Sequence, residues 1–291
     1  MNHFSATTVA VTGGARGIGA AIAEAFAAQG ARVAIGDLDL GPAAELAARC
    51  GNAAQAFSLD VTSDRSVRTF VEEVERDLGP IDIFVNNAGI MWVGAFEDEP
   101  EAVALRQFDV NVHGAARAMR AIVPRMRERG AGHVITVASA ASKVAPAGEA
   151  TYSATKHAIY GYNVALRAEL HGSGVDLSVV MPAVVETGLA SGTSHGAGRR
   201  LRPQDVADAV VAAAIKPRFE VFVPRSLNVL TRVAALLPDR ARHAMARALV
   251  PDQLRSARRD QRAAYEAASF GAAVAGAPAG VREPGRGRPA P

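Results

Sequence analysis

One short stretch constrains this chain more than any other. The β-branched run TTVAVT at residues 7–12 ends directly in Thr12-Gly13-Gly14-Ala15-Arg16-Gly17-Ile18-Gly19, and helical spacing begins at once. A strand that passes straight into a helix has no hairpin partner, so the next strand must return parallel to it by a crossover. Glycines permit the sharp turn and a close backbone approach, while the free N–H groups and positive dipole end of the helix suit a pyrophosphate. Asp37 closes the next β-branched run, 18 residues after Gly19, where a carboxylate can accept from adenosine ribose hydroxyls.

The same alternation continues along the chain. Strands are read at 7–12, 31–37, 54–60, 81–87, 133–139, 175–181 and 219–224, and helices with one apolar face at 17–29, 42–50, 64–77, 101–128, 150–171 and 204–214. Repeated βα units with right-handed crossovers give an α/β fold, a doubly wound parallel seven-stranded sheet with helices on both faces. Residues 1–224 form that domain. Within it, 183–203 lacks periodicity and reads as a mobile lid loop. Beyond Pro224 the β pattern stops, and apolar residues three and four apart predict a helical C-terminal extension over 225–270. Residues 271–291, rich in Gly, Ala, Pro and Arg, are expected to be disordered.

Composition removes several classes of function. Cys50 is the single cysteine, so an internal disulfide is impossible, and no Cys/His cluster stands at metal-ligand spacing. Nowhere do 18 apolar residues run together, and the first residues lack a basic segment followed by an apolar one; no transmembrane segment and a cytoplasmic location are expected. Residues 225–291 hold twelve arginines against five carboxylates. No dense basic run or interleaved aromatics accompany them, so the reading is a solvated arginine-rich helical face and no nucleic acid partner. His113, His133 and His157 have no partners at metal or triad spacing and read as structural or solvated.

The glycine spacing is Gly-x-x-x-Gly-x-Gly, and with the motifs that follow it the chain resembles the short-chain dehydrogenase/reductase family over residues 7–224. Asp60-Val61 matches the family's adenine-contact pair, Asn86-Asn87-Ala88-Gly89 its fourth-strand motif and Asn111 its helix asparagine. Ser139 matches the catalytic serine, Tyr152-Ser153-Ala154-Thr155-Lys156 the Tyr-x-x-x-Lys pair, and Pro182 with Thr187 the segment beside the nicotinamide. Ala183 stands where the family usually has glycine. The resemblance implies a Rossmann sheet binding NAD or NADP, with Gly13, Ala15, Arg16, Gly17, Ile18, Gly19, Asp37, Asp60, Val61, Asn87, Ala88, Gly89, Tyr152, Lys156, Pro182, Val185 and Thr187 around the cofactor. It implies catalysis by Asn111, Ser139, Tyr152 and Lys156. In the family the asparagine bends its helix and binds a water that links the lysine to solvent, and the lysine also holds the nicotinamide ribose.

Residue chemistry agrees with that resemblance. Tyr152 and Lys156 stack one helical turn apart, and an ammonium near a phenol favours the phenolate, which brings proton transfer toward neutral pH. Ser139 ends the fifth strand at the sheet's ligand-binding edge, where its hydroxyl can bond a substrate oxygen. Singly, these could be a half-buried tyrosine, a solvated lysine and a strand-end cap; together, after the glycine turn, they read as a site. Asp37 favours NAD because it would repel a 2′-phosphate, while Arg16 argues for NADP. The expected activity interconverts a secondary alcohol and a ketone; the alternative is a dinucleotide sensor or scaffold of the same fold that does not turn over.

The substrate positions are expected to be apolar: Met91, Trp92 and Val93 after the fourth strand, Val144 and Pro146 between serine and tyrosine, Val184 and Leu189 in the lid. Glu149 is the one charged residue among them, and reads either as a partner for a polar group or as a first-turn carboxylate. Leu227, Leu230, Val233, Ala234 and Leu237 fall on one helix side, to widen the pocket or to pack on the sheet's flank or a partner subunit. A homodimer or homotetramer is expected through helices 101–128 and 150–171, on faces carrying Ala115, Ala116, Ala165 and Ala168.

Overall fold

The computed structural model describes residues 3–51, 54–196 and 199–271. Seven strands, β1 (Thr8–Thr12), β2 (Arg32–Asp37), β3 (Ala54–Ser58), β4 (Ile83–Asn86), β5 (Gly132–Val137), β6 (Val175–Pro182) and β7 (Glu220–Val223), pair in parallel in the order β3-β2-β1-β4-β5-β6-β7. The order reverses between β1 and β4, and ligands of such sheets bind at the carboxyl ends of the strands beside that switch.

Side chains alternate across each strand, so the β-branched runs feed two cores. Val9, Val11, Val33, Ile35, Ile83 and Val85 face the helices α1 (Gly17–Ala27), α2 (Leu40–Cys50) and α7 (Pro203–Ile215). Ala10, Ala34, Phe84 and Val134 face α3 (Asp64–Leu78), α5 (Ala115–Arg129) and α6 (Ala150–Glu169). Fully buried residues such as Ile22, Phe26, Phe70 and Ile122 each contribute about 1.5–3 kcal/mol. The glycine turn is therefore clamped between two packed layers.

Three expectations change in detail. The helix foreseen over 101–128 is α4 (Glu101–Phe108), a π-helical turn at Asp109–Gly114, and α5. The wider turn lets the Asn111 side chain leave the helix and bond the backbone of Ile90. On the proposed oligomer faces, Ala116 is 4% exposed and packs inside its own chain, whereas Ala165 and Ala168 are open to solvent. Third, the apolar stripe after Pro224 is not one face of contact: Leu227, Leu230 and Ala234 line a cavity, while Val233 is 47% exposed.

The C-terminal extension is α8 (Ser226–Leu236), α9 (Asp239–Leu249), α10 (Gln253–Ser256) and α11 (Arg259–Phe270). Of the stretch expected to be disordered, only Gly271 falls within the described residues. Among those residues no helix is long and apolar enough to cross a membrane, and no cluster of His, Cys, Asp and Glu could hold a metal ion.

Candidate active site

The turn after β1 is shaped by what cannot fit there. A Cβ at Gly19 would lie 2.1 Å from the Gly13 carbonyl oxygen, and one at Gly13, whose φ is +61°, would lie 2.9 Å from Ala88 Cα. The backbone thus folds onto the end of β4 with no side chain between. Asn87 braces it by donating from Nδ2 to the carbonyls of Thr12 (3.0 Å) and Gly13 (2.9 Å), and Thr12 Oγ1 accepts from the backbone N–H groups of Asn87 and Ala88. Gly17 and Ile18, opening α1, face a cavity of about 1430 Å³.

That cavity runs along the carboxyl edge of the sheet. Arg16, Asp37, Asp60, Val61, Ala88, Gly89, Pro182, Val185 and Thr187, all expected around the cofactor, line the cavity. Ala15 and Gly19 lie behind the surface, Ala15 donating its N–H to Asp37 Oδ2 at 2.9 Å. Asp60 Oδ1 accepts from the N–H and hydroxyl of Thr62 at 2.9 and 2.6 Å. Ala183 donates its N–H to Val223 O at 2.8 Å without a positive φ, so the missing glycine leaves the path regular. The donor set fits a dinucleotide: backbone N–H groups at a helix start for phosphates and a carboxylate at the end of β2 for a ribose. Asp39, overlooked in the sequence, carries the Arg16 guanidinium at 2.6 Å on the exposed rim.

Ser139, Tyr152 and Lys156 line the same cavity. Tyr152 is hydrogen-bonded to Ser139, whose Oγ also accepts from the Ala141 N–H at 3.1 Å. Lys156 Nζ lies 5.5 Å from the Tyr152 ring centroid and donates to Val137 O at 3.3 Å. Asn111 accepts from the Ile90 N–H at 2.8 Å, and its Nδ2 donates to Ile90 O (2.9 Å) and Thr155 Oγ1 (3.0 Å). A Cβ placed on Gly89 would meet both Asn111 Oδ1 (3.4 Å) and Lys156 Nζ (3.6 Å), so these groups converge.

The expected ionisation of the phenol needs correction. Burial first, and then the Glu149 carboxylate, push Tyr152 above its ordinary value, the Ser139 hydrogen bond opposing them. Burial also lowers Lys156 to about 8. The chain by itself therefore holds a protonated phenol, because desolvation outweighs an ammonium that is itself destabilised.

Met91, Val144, Pro146, Glu149, Val184 and Leu189 line the cavity above Tyr152. Val93 does not: it is packed behind the wall with Met91, Ala141 and Tyr152, and Trp92 packs on Val103 and Phe270. The wall is completed by residues that sequence reasoning missed, Tyr265 of α11 and, from α9, Met245 and Leu249.

The described residues of 183–203, expected to be a mobile lid, are tied down at several points. Val185 pairs with Leu201 in a short parallel bridge, and Gln253 exchanges two hydrogen bonds with the Ser194 backbone at 2.8 and 2.9 Å. Arg262, expected on a solvated face, is 1% exposed. It donates to the carbonyls of Leu189 (3.1 Å), Ser191 (3.0 Å) and Met91 (2.8 Å) and to Glu266 (2.8 Å). The Tyr265 hydroxyl accepts from the Met91 N–H at 3.0 Å. No local signal separates Arg262 from the other arginines of the extension.

Comparison with known proteins bears on the family and the fold. The profile of the short chain dehydrogenase family matches residues 7–197. The chain is 38% identical over 231 residues to a 1-deoxy-11-beta-hydroxypentalenate dehydrogenase of Streptomyces exfoliatus, covering 76% of this chain and 84% of that protein. It is 36% identical over 265 residues to the probable oxidoreductase EphD of Mycobacterium tuberculosis, covering 82% of this chain but 45% of EphD, so it spans less than half the length of that relative. Among solved structures, a short-chain dehydrogenase from Streptomyces avermitilis shares 29% identity with a TM-score of 0.70, covering 84% of this chain and 96% of that one. A short-chain dehydrogenase/reductase from Burkholderia phymatum in complex with NAD has a TM-score of 0.74 at 24% identity, over 81% of this chain and 95% of that one.

Proposed function

The chain belongs to the short-chain dehydrogenase/reductase family, and from that premise we propose that it is a cytoplasmic NAD(P)-dependent oxidoreductase interconverting a secondary alcohol and a ketone on a hydrophobic substrate. The observation that carries the reading is the meeting of Ser139, Tyr152 and Lys156 at the floor of a cavity whose far end is the glycine turn. In this reading residues 1–224 hold cofactor and catalytic groups, and 225–270 complete the substrate wall.

The chemistry a bound nicotinamide would supply is hydride transfer, from the carbinol carbon to the oxidised cofactor or from the reduced cofactor to the carbonyl carbon. The chain's own residues do the rest. The first turn of α1 and the Gly13–Gly19 backbone would hold the phosphates, and Asp37 would accept from a ribose hydroxyl. Asp37 favours NAD, and Asp39 strengthens that preference by neutralising Arg16, the one cation of the turn. Ser139 donates to the substrate oxygen while the protonated phenol of Tyr152 gives its proton to the same oxygen in reduction; in oxidation the phenol first loses its proton to solvent past Lys156, and the phenolate then takes the proton of the alcohol. Lys156 and Asn111, meeting beside Gly89, position the tyrosine and hold the path by which the proton is replaced.

The wall of Met91, Val144, Pro146, Val184 and Leu189 favours an apolar framework such as a steroid, terpenoid or acyl chain. Self-association, as a homodimer or homotetramer, is assigned to the outer face of α6, where Val164 is 43% exposed beside Ala165 and Ala168. The test is a panel of lipophilic alcohols and polyols with NAD and NADP, read by nicotinamide absorbance, on the wild type and on Tyr152→Phe. Turnover of a lipophilic alcohol should fall at least about a hundredfold in the variant with cofactor affinity little changed. Retention of more than about a tenth of the activity would overturn the assignment of Tyr152.

A further inference from the structure

Glu149 is the charged residue that the mechanism leaves unused. It is 6% exposed and sits immediately before α6, one turn ahead of Tyr152, on the wall of the cavity. Among the described residues no donor is hydrogen-bonded to its carboxyl group, whose oxygens are not among the sealed, unpartnered polar atoms and so open onto the cavity that Glu149 lines. Arg262 is close enough to act on it by charge, but its bonds go to Leu189, Ser191, Met91 and Glu266. As a favourable first-turn carboxylate Glu149 would be solvated; here it is buried in a largely apolar wall. A carboxyl that the fold leaves without a protein donor and opens onto a largely apolar cavity loses its solvent when a ligand enters, and is satisfied only if that ligand brings a donor.

We propose that Glu149 is the specificity-determining residue of the site, accepting a hydrogen bond from a second hydroxyl of the substrate that lies within one or two carbons of the reacting one. The inference rests on the dehydrogenase reading above and narrows its substrate class to a hydroxylated apolar framework. Spacing sets the position: groups one helical turn apart have Cβ atoms about 5–6 Å apart, so one small molecule spans Glu149 and Tyr152. Charge sets the donor type. The groups that act on this carboxyl are the Arg262 guanidinium and the phenol of Tyr152, with the Tyr265 phenol on the same wall, and the positive potential of Arg262 disfavours an ammonium and leaves a neutral hydroxyl. Burial, opposed by Arg262, raises Glu149 to about 7, which keeps an accepting carboxyl oxygen in either protonation state.

The experiment compares 2-octanol with octane-2,3-diol on the wild type, Glu149→Leu and Glu149→Gln. Affinity is read by calorimetry in the presence of NAD, and kcat/KM by nicotinamide absorbance. The wild type should favour the diol by about tenfold in both readouts, Glu149→Leu should bring the two alcohols within about twofold, and Glu149→Gln should keep part of the preference. An unchanged ratio in Glu149→Leu overturns the proposal. So does a Glu149→Gln protein that binds both alcohols normally and turns over neither, since Glu149 would then be a proton-transfer group. A diol preference in affinity that disappears in Glu149→Leu, with no turnover by any of the three proteins, supports the anchor and overturns the dehydrogenase reading. Wild type that neither binds nor oxidises either alcohol overturns the substrate class.

Discussion

Replacing Arg262 with methionine asks whether the last helix builds the site or only covers it. Methionine keeps much of the side-chain volume and none of the donors, so the carbonyls of Leu189, Ser191 and Met91 and the Glu266 carboxylate all lose a partner. Leaving a buried acceptor unsatisfied costs about 1–3 kcal/mol, and removing one member of a buried ion pair costs about 3–5 kcal/mol. The penalties overlap because the loop relaxes, which leaves about 4 kcal/mol in total. Arg262 is 1% exposed, so solvent screening takes little from that figure. Both sheet cores are made by other residues, so the loss falls on α11 and residues 189–193. Trypsin should therefore cut at Arg255, Arg258 or Arg259 a few hundredfold faster than in wild type. Affinity for NAD should stay within about twofold while KM for the alcohol rises at least about tenfold. Unchanged cleavage together with an unchanged KM would refute the reasoning.

Asp39→Ala should release Arg16 from its 2.6 Å partner and improve NADP relative to NAD by about fivefold, with Asp37→Ala adding to the effect; steady-state kinetics with both cofactors would read it, and a ratio that stays put would exclude the rim pair from cofactor choice. His133, buried against Ser178 Oγ at 2.9 Å, is lowered by burial from 6.5 to about 4. The native chain then binds fewer protons than the unfolded one in that window, so its contribution is complete above pH 6.5 and is lost as pH falls toward 4, by about 3 kcal/mol. Glu149, raised from 4.5 to about 7, titrates in the opposite sense, so the measurement is the difference in urea-derived stability between wild type and His133→Gln across pH 4–7; parallel curves would exclude His133 as its source.

What could be read from the residues was local or periodic. The glycine turn, the seven short strand runs and the Tyr152/Lys156 spacing each declare themselves within a few residues, because strand alternation and helical repeat are short-range geometry. The break at Asn111 was legible only through resemblance, since a single polar residue in a helix has the same local pattern whether or not it leaves its turn. Arg262 was not legible at all. Its partners are backbone carbonyls, which every residue carries, lying 171 residues away at Met91 and 73 at Leu189. The ionisation of Tyr152 went the other way from expectation for a related reason: the lysine is a neighbour in sequence, whereas the burial that outweighs it comes from the whole fold.

The π-helical turn at Asp109–Gly114 has a further consequence, for which length changes this chain can accept. Such a turn is an α-helix carrying one residue too many. Deleting a residue there would restore the ordinary repeat with the flanking faces in place, but it would remove the widened turn through which the Asn111 side chain leaves the helix for the Ile90 backbone. Gln107, which holds the Trp92 N–H at 3.1 Å, and Met119 and Ile122, which fill the core beneath the sheet, would keep their places, so the loss would fall on the Asn111 contacts alone. Sequences descended from a common ancestor with this one should therefore vary freely in the identity of exposed residues along 101–129 yet keep its length, and gain or lose residues instead in the loop from Gly94 to Pro100.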